Sequence, residues 1–254
     1  VDSTFLLAVA KTILGDNVIA VTAESDIHPE WEKQGAYEIA QKLDAEHLVF
    51  SSHELNLPDF LSNSRNRCYV CKKALFKIVK GIVFKKGISS IAHGANMDDL
   101  RDFRPGIKAA EEDGILSPLI DAFLTKNEIR LLSRRMGLPN WNKPPMACLA
   151  TRIPYGNPIT RNVLHRIEKA EQFMLDAGFS LCRVRFYGSM VRIEVDHSEV
   201  KRLLEDFSKL RVVEVFKSIG FLEISVDLEG YRQGNMNNAE RKIQELSLSE
   251  PFDE

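Results

Sequence analysis

Short apolar segments alternate with amphipathic helical ones through the first half of this chain, and that alternation restricts its fold most. Residues 17–23 read as a buried strand ending on the polar Glu24 and Ser25. Residues 30–43 have helical spacing, with Trp31, Ala36, Ile39, Ala40 and Leu43 on one side and Pro29 suited to a first helical position. A short strand is predicted at 47–50, an amphipathic helix at 71–82, and another strand at 88–92 that runs into His93-Gly94-Ala95-Asn96. The capping-box spacing Thr125-Lys126-Asn127-Glu128 opens a helix that Gly137 ends. Strands alternating with helices of this length predict an α/β fold with a doubly wound parallel sheet. Ligands of such sheets sit beyond the carboxyl ends of the strands. That rule gathers Glu24, Ser25, Gly94, Ala95 and the first residues around one crevice, suited to a nucleotide.

Val1-Asp2-Ser3 leads straight into the apolar helical run 4–10. A helix starting on Asp and Ser offers unpaired backbone N–H groups and the positive end of its dipole to an anion, although both residues are also the commonest N-caps. This start resembles the tail of the Ser-Gly-Gly-x-Asp-Ser loop of the PP-loop ATP pyrophosphatases. The resemblance implies ATP with Mg²⁺, its phosphates at Asp2 and Ser3 and its adenosine against Ala23, Glu24, Ser25, Gly94 and Ala95. It also implies that the Ser-Gly-Gly stands upstream of Val1, the chain being the remainder of a longer one.

A boundary is predicted at Pro139-Asn140-Trp141-Asn142-Lys143-Pro144-Pro145, whose closing prolines forbid continued helix. It divides a domain at 1–143 from one at 144–254. In the second, a long helix is predicted at 160–177 and a hairpin of 181–186 with 191–195 around Tyr187-Gly188-Ser189. Helices at 197–207 and 212–219 and a strand at 221–228 complete a smaller α+β domain. A polar, fraying stretch follows from Asn237. With 254 residues there is enough chain for two cores. A net charge of −2 gives no broad basic surface for nucleic acid, and no apolar run approaches membrane-spanning length. The reading is cytoplasmic.

Four cysteines are too few for a disulfide scaffold at this length. Cys68 and Cys71 form a C-x-x-C at a predicted loop-to-helix junction, where the helix N-terminus and Arg67, Lys72 and Lys73 are expected to favour thiolates. Cys148 lies in a loop behind two prolines, and Cys182 alternates with arginines as a packed core residue. Three thiolates can hold a 4Fe-4S cluster with its fourth iron open. A zinc site completed by His or water, a redox disulfide, and unrelated thiols are the other readings of the same residues.

Four segments, in order along the chain, resemble the LarE family of PP-loop sulfur transferases. They are Arg67-Cys68-Tyr69-Val70-Cys71-Lys72, the Thr125 capping box, the run from Trp141 to Gly156 through Cys148-Leu149-Ala150-Thr151-Arg152, and the run from Asp227 to Asn237. The resemblance implies an enzyme that adenylates the carboxylates of pyridinium-3,5-biscarboxylic acid mononucleotide and turns them into thiocarboxylates. That chemistry serves the nickel-pincer cofactor of lactate racemase and related enzymes. The match is to the branch with three cysteines, which implies Cys68, Cys71 and Cys148 as cluster ligands that deliver sulfide. The alternative within the family is sacrifice of the Cys148 sulfur. The substrate's phosphate implies cations, for which Arg183 and Arg185, alternating onto one strand face, are candidates with Arg152 and Arg232. Glu194 and Asp227 would order them, while a solvated charged face is the plain alternative. A separate sulfur donor and a homo-oligomer, a hexamer by the resemblance, are expected as partners. The rivals are a tRNA thiolase of the PP-loop superfamily and a non-catalytic zinc- or nucleotide-binding protein.

Overall fold

The computed structural model describes residues 1–232. The chain parts into two compact units: Val1–Ala150 with Tyr155–Leu164, and Thr151–Pro154 with the chain from His165 on. Beyond residue 232 lie the end of the Asp227 motif and the expected frayed stretch, outside the described residues.

The first unit runs α1 (Asp2–Leu14), β1 (Ile19–Glu24), α2 (Glu30–Lys42), β2 (Glu46–Ser51), α3 (Pro58–Leu61), α4 (Arg67–Lys86), α5 (Pro105–Glu112), α6 (Pro118–Asp121) and α7 (Lys126–Arg135). β1 and β2 pair in parallel, from Ile19 opposite Glu46 to Glu24 opposite Ser51, with α2 as the crossover. This is the α/β alternation expected. Phe5 and Ala8 of α1 pack with Leu119, Ile129 and Leu138, and burying each of the phenylalanine, leucine and isoleucine side chains fully contributes ~1.5–3 kcal/mol.

Several local expectations are corrected. Val1, not Asp2 or Ser3, is the N-cap of α1, so both residues lie in its first turn. Pro29 caps α2 from outside. α4 begins at Arg67, so the C-x-x-C lies inside the helix and not ahead of it. Residues 88–92 form no ladder: Ala92 makes an isolated parallel bridge to Leu116. Its partner segment is too short for more, because Gly114 turns at φ 67° and Pro118 already starts α6.

The second unit holds α8 (Arg161–Asp176, counted from His165), β3 (Cys182–Tyr187), β4 (Met190–Val195), α9 (Val200–Asp206), α10 (Val212–Ile219) and β5 (Glu223–Val226). Its sheet has the order β3-β4-β5, antiparallel then parallel. The hairpin turns at Gly188, whose φ of 77° suits glycine. Residues 197–199 form a 3₁₀ turn before α9, and the last strand is shorter than 221–228. Ile167, Ala170, Met174, Val184, Val191, Ile193, Phe216 and Phe221 form a fully buried apolar set.

Candidate functional site

The carboxyl ends of β1 and β2 build the thiol site. Ser52 N–H bonds the Glu24 carbonyl at 2.8 Å, which locks the two exits together. The loop after β1 carries Ile27 and His28, and a 3₁₀ turn after β2 carries Glu54. Leu149 N–H bonds the Ile27 carbonyl at 2.8 Å, which moors Cys148 beside His28. From the other side, residues 61–63 are tied to 156–159: Gly156 N–H to Asn63 O at 3.0 Å, Ile159 N–H to Leu61 O at 2.9 Å, and Asn63 Nδ2 to Asn157 O at 2.8 Å. Arg67, buried in the first turn of α4, donates to the Asn63 side chain and lies 4.4 Å over the Tyr155 ring. These ties bring the first turns of α4, with Cys68 and Cys71, toward the Cys148 loop.

No disulfide joins the four cysteines. The Cys71 thiol reaches Glu54 Oε1 at 3.9 Å. Burial pushes the Cys71 pKa far up; Cys148, Glu54 and Cys68 add to the rise, and Lys72 opposes it. The expectation that neighbouring cations favour thiolates is therefore overturned at Cys71. Arg67 is spent on Asn63 and Tyr155, and Lys73 pairs with Asp113 at 3.2 Å. Dehydration costs the anion more than Lys72 returns. Cys148 and Cys68 both lie within electrostatic reach of Cys71, each raising its pKa. Among the described residues no three His, Cys, Asp or Glu side chains converge on a point suited to one metal ion. Cys182 is buried in β3, as a core cysteine.

The nucleotide residues flank the start of α1. Ser3 is exposed and Asp2 half-buried, with one Asp2 oxygen held by Lys126 Nζ and the other, Oδ1, buried without a partner. Gly94 presses on this turn: a Cβ there would lie 2.8 Å from Ser3 N. Ala95 is buried, and Ala23, Glu24 and Ser25 are half-buried at the exit of β1. Asn96 and Asp99 form a capping box, Asp98 accepts from Lys126 N at 2.7 Å, and His93 bonds Ser117 Oγ at 2.8 Å.

In the second unit Arg152, Arg183 and Arg185 are buried and not part of a solvated face, whereas Arg232 is exposed. Arg152 is fully buried and makes a two-point bridge to Glu171, with both contacts at 2.9 Å, and Glu171 Oε1 also accepts from Val184 N at 2.9 Å. Arg185 pairs with Glu194 at 2.9 Å and donates to the Thr151 carbonyl at 3.1 Å. Arg192 bridges Glu194 at 3.1 Å and Asp227 at 3.5 Å. Arg183 donates to its neighbour's carbonyl and lies 5.4 Å from the Tyr231 ring, while Arg232 pairs with Glu229 at the surface.

Sequence reasoning missed Glu171, Glu54, His28, Asn63 and Tyr155. Glu171 had a signal: with Leu164, Ile167 and Met174 it sits in the apolar stripe of α8, where a carboxylate needs a buried partner. Glu54 and Asn63 lay in a polar loop with no periodicity to mark them.

No family model matches the chain. A protein of Synechocystis, itself described as uncharacterized, is 39% identical over 93% of this chain and 88% of its own length. The pyridinium-3,5-bisthiocarboxylic acid mononucleotide synthase of Lactiplantibacillus plantarum is 33% identical over 96% of this chain and 88% of its own. The glutamine-hydrolysing GMP synthase of Aeropyrum pernix is 25% identical over 67% of the chain and 36% of its own length.

Proposed function

The chain belongs to the LarE family, and we propose that it is an ATP-dependent sulfur transferase acting on pyridinium-3,5-biscarboxylic acid mononucleotide. The observation that carries the reading is the gathering of Cys68, Cys71 and Cys148 at the carboxyl end of a parallel pair, in a chain of that family. ATP would lie with its phosphates and Mg²⁺ at the first turn of α1, where Asp2 and Ser3 stand, and its adenosine toward Ala23, Glu24, Ser25, Gly94 and Ala95. A substrate carboxylate attacks the α-phosphorus and pyrophosphate leaves, which yields an acyl-adenylate. Sulfur then attacks the activated carbonyl and AMP departs. Positioning and charge stabilisation by these residues do most of that work.

Cys68, Cys71 and Cys148 would hold a 4Fe-4S cluster. The donor set is the support for it: Cys68 and Cys148 both lie within electrostatic reach of the buried Cys71 thiol, and three thiolates can hold such a cluster. Such a cluster supplies an open iron able to carry the transferred sulfur. For the second unit we assign the substrate's phosphate to Arg183, with Arg152, Arg185, Glu194, Asp227 and Arg232 as the surrounding charge network. A separate sulfur donor, a homo-oligomer and a cytoplasmic site complete the proposal. Among the described residues no helix is long and apolar enough to cross a membrane.

The test is iron and acid-labile sulfide content of protein purified without oxygen, beside Cys148→Ala, together with ATP-dependent pyrophosphate release on the mononucleotide. A cluster lost in the variant supports the reading. Wild type without iron after reconstitution ends the cluster assignment, and the mass of Cys148 after turnover then shows whether its sulfur is sacrificed. Absence of pyrophosphate release ends the transferase reading itself.

A further inference from the structure

We propose that Lys126 holds the pyrophosphate half of ATP, and that Asp2 takes this lysine back as pyrophosphate leaves. The inference rests on the ATP reading above and adds a residue to it. Lys126 is the first residue of α7, and its Nζ reaches a carboxylate oxygen of Asp2 in the first turn of α1. Cations are unfavourable at helix N-termini, yet this one stands at two of them. The end of α7 is already satisfied: the Thr125–Glu128 capping box closes it, and Asp98 accepts from Lys126 N at 2.7 Å. The end of α1 is not, since its N-cap is Val1, whose side chain accepts no hydrogen bond, and Thr4 Oγ1 is taken by Asn140 at 2.8 Å. An ammonium and uncapped N–H groups around one carboxylate leave a net positive corner that suits an anion.

The lysine is built to change partners. Its backbone is fixed: Ile129 of α7 packs on Phe5 and Ala8 of α1, and Met97 N–H bonds the Leu124 carbonyl at 3.0 Å. The side chains of Lys126 and Asp2 are 26% and 21% exposed, so the pair opens to solvent and the flexible lysine stem can turn to a ligand there. Lys143, also within electrostatic reach of Val1, is turned to Glu32 at 2.8 Å. Lys126 comes from α7 and not from the strand exits to which the adenosine is assigned, which matches it to the outer phosphates. Their charge exceeds that of Asp2, and a compact ammonium suits their oxygens. Asp2 keeps a pull of its own, because its Oδ1 is buried without a partner. Once pyrophosphate loosens, Asp2 competes for the ammonium and eases release. No covalent bond changes and no proton moves.

Calorimetry gives the affinities of ATP with magnesium, of AMP, and of pyrophosphate in EDTA for wild type, Lys126→Met, Lys126→Arg, Asp2→Asn and the Lys126→Met, Asp2→Asn double variant. Lys126→Met should weaken ATP and pyrophosphate ~10–100-fold, the loss of a charge-assisted hydrogen bond, and leave AMP within ~2-fold. Lys126→Arg should keep most of the affinity. Asp2→Asn should tighten pyrophosphate ~3-fold or more, a gain that vanishes in the Lys126→Met background. Equal ATP and pyrophosphate affinities in wild type and Lys126→Met overturn the role of Lys126 and leave the transferase reading standing, since pyrophosphate release on the mononucleotide judges that separately. A loss shared by AMP, or by Lys126→Arg, reports a deformed site and overturns the role as well. No gain in Asp2→Asn, or a gain that survives without Lys126, overturns the return of the lysine to Asp2. Wild type that binds neither ATP nor pyrophosphate overturns the ATP site and Lys126 together.

Discussion

Replacing Gly94 by alanine tests whether a backbone contact sets the start of α1 as a phosphate site. The new Cβ would stand 2.8 Å from Ser3 N, 3.0 Å from Ser3 Cα and 3.1 Å from the Asp2 carbonyl carbon. All three are backbone atoms, so no side chain can swing aside. Reaching ordinary contact near 3.4 Å needs a displacement of about 0.6 Å. Overpacking of this kind costs ~1–3 kcal/mol. At ~2–4 °C per kcal/mol for a chain of this size, the unfolding midpoint should fall by about 2–12 °C. Because the displaced turn carries Asp2 and Ser3, pyrophosphate release should fall more than stability does, toward the ~100-fold that a 1 Å misplacement can cost. Gly35→Ala is the control: its Cβ meets only Lys143 Nζ at 3.6 Å inside α2, and it should stabilise by ~0.4–1 kcal/mol. Circular dichroism melts and a pyrophosphate assay read both effects. A Gly94→Ala protein with wild-type midpoint and wild-type pyrophosphate release refutes the assignment.

The Arg152–Glu171 pair is buried on both sides, so Glu171→Gln or Arg152→Met alone should cost ~3–5 kcal/mol in denaturant titration, and the double change should recover much of it; equal, additive losses contradict the pairing. Burial pushes the Glu171 pKa up, but Arg152 and then Arg183 and the Val184 N–H outweigh it, and the net shift is downward from 4.5. A carboxyl depressed on folding stabilises fully above its unfolded value and loses that contribution as pH falls through the folded one. The wild-type urea midpoint should therefore drop as pH falls below about 4.5, and drop less in the double variant. Arg67→Met removes the Asn63 bond and the stack on Tyr155, worth ~0.5–2 kcal/mol for the stack alone. Its sharper effect should be faster alkylation of Cys148 than of Cys182 relative to wild type, read by peptide mass spectrometry; an unchanged ratio shows that Arg67 does not tie the loops.

Much of the first unit was legible because its information is local. The Thr125–Glu128 capping box holds in the structure, and the strand ending at Glu24 pairs in parallel with the one ending at Ser51. Apolar periodicity and a cap are properties of a few neighbouring residues, so the chain alone reveals them. The residue types of the thiol site were equally plain, since cysteines are rare and their spacing is chemical.

Environment was not legible. Cys71 carries cations on either side in sequence, yet burial decides its proton, because a folded interior removes the water that the thiolate needs. Residues 88–92 have strand composition but stop at one bridge, because their partner is cut short by Gly114 and Pro118. Arg183 and Arg185 read as an anion clamp or else a solvated face, with Arg152 a further candidate; all three lie buried, Arg152 against Glu171 and Arg185 against Glu194 from distant positions. Sequence by itself determined which elements form and which chemical groups the chain carries. Only tertiary structure decided which of those groups lose water and which find partners, since burial and pairing depend on residues far apart along the chain.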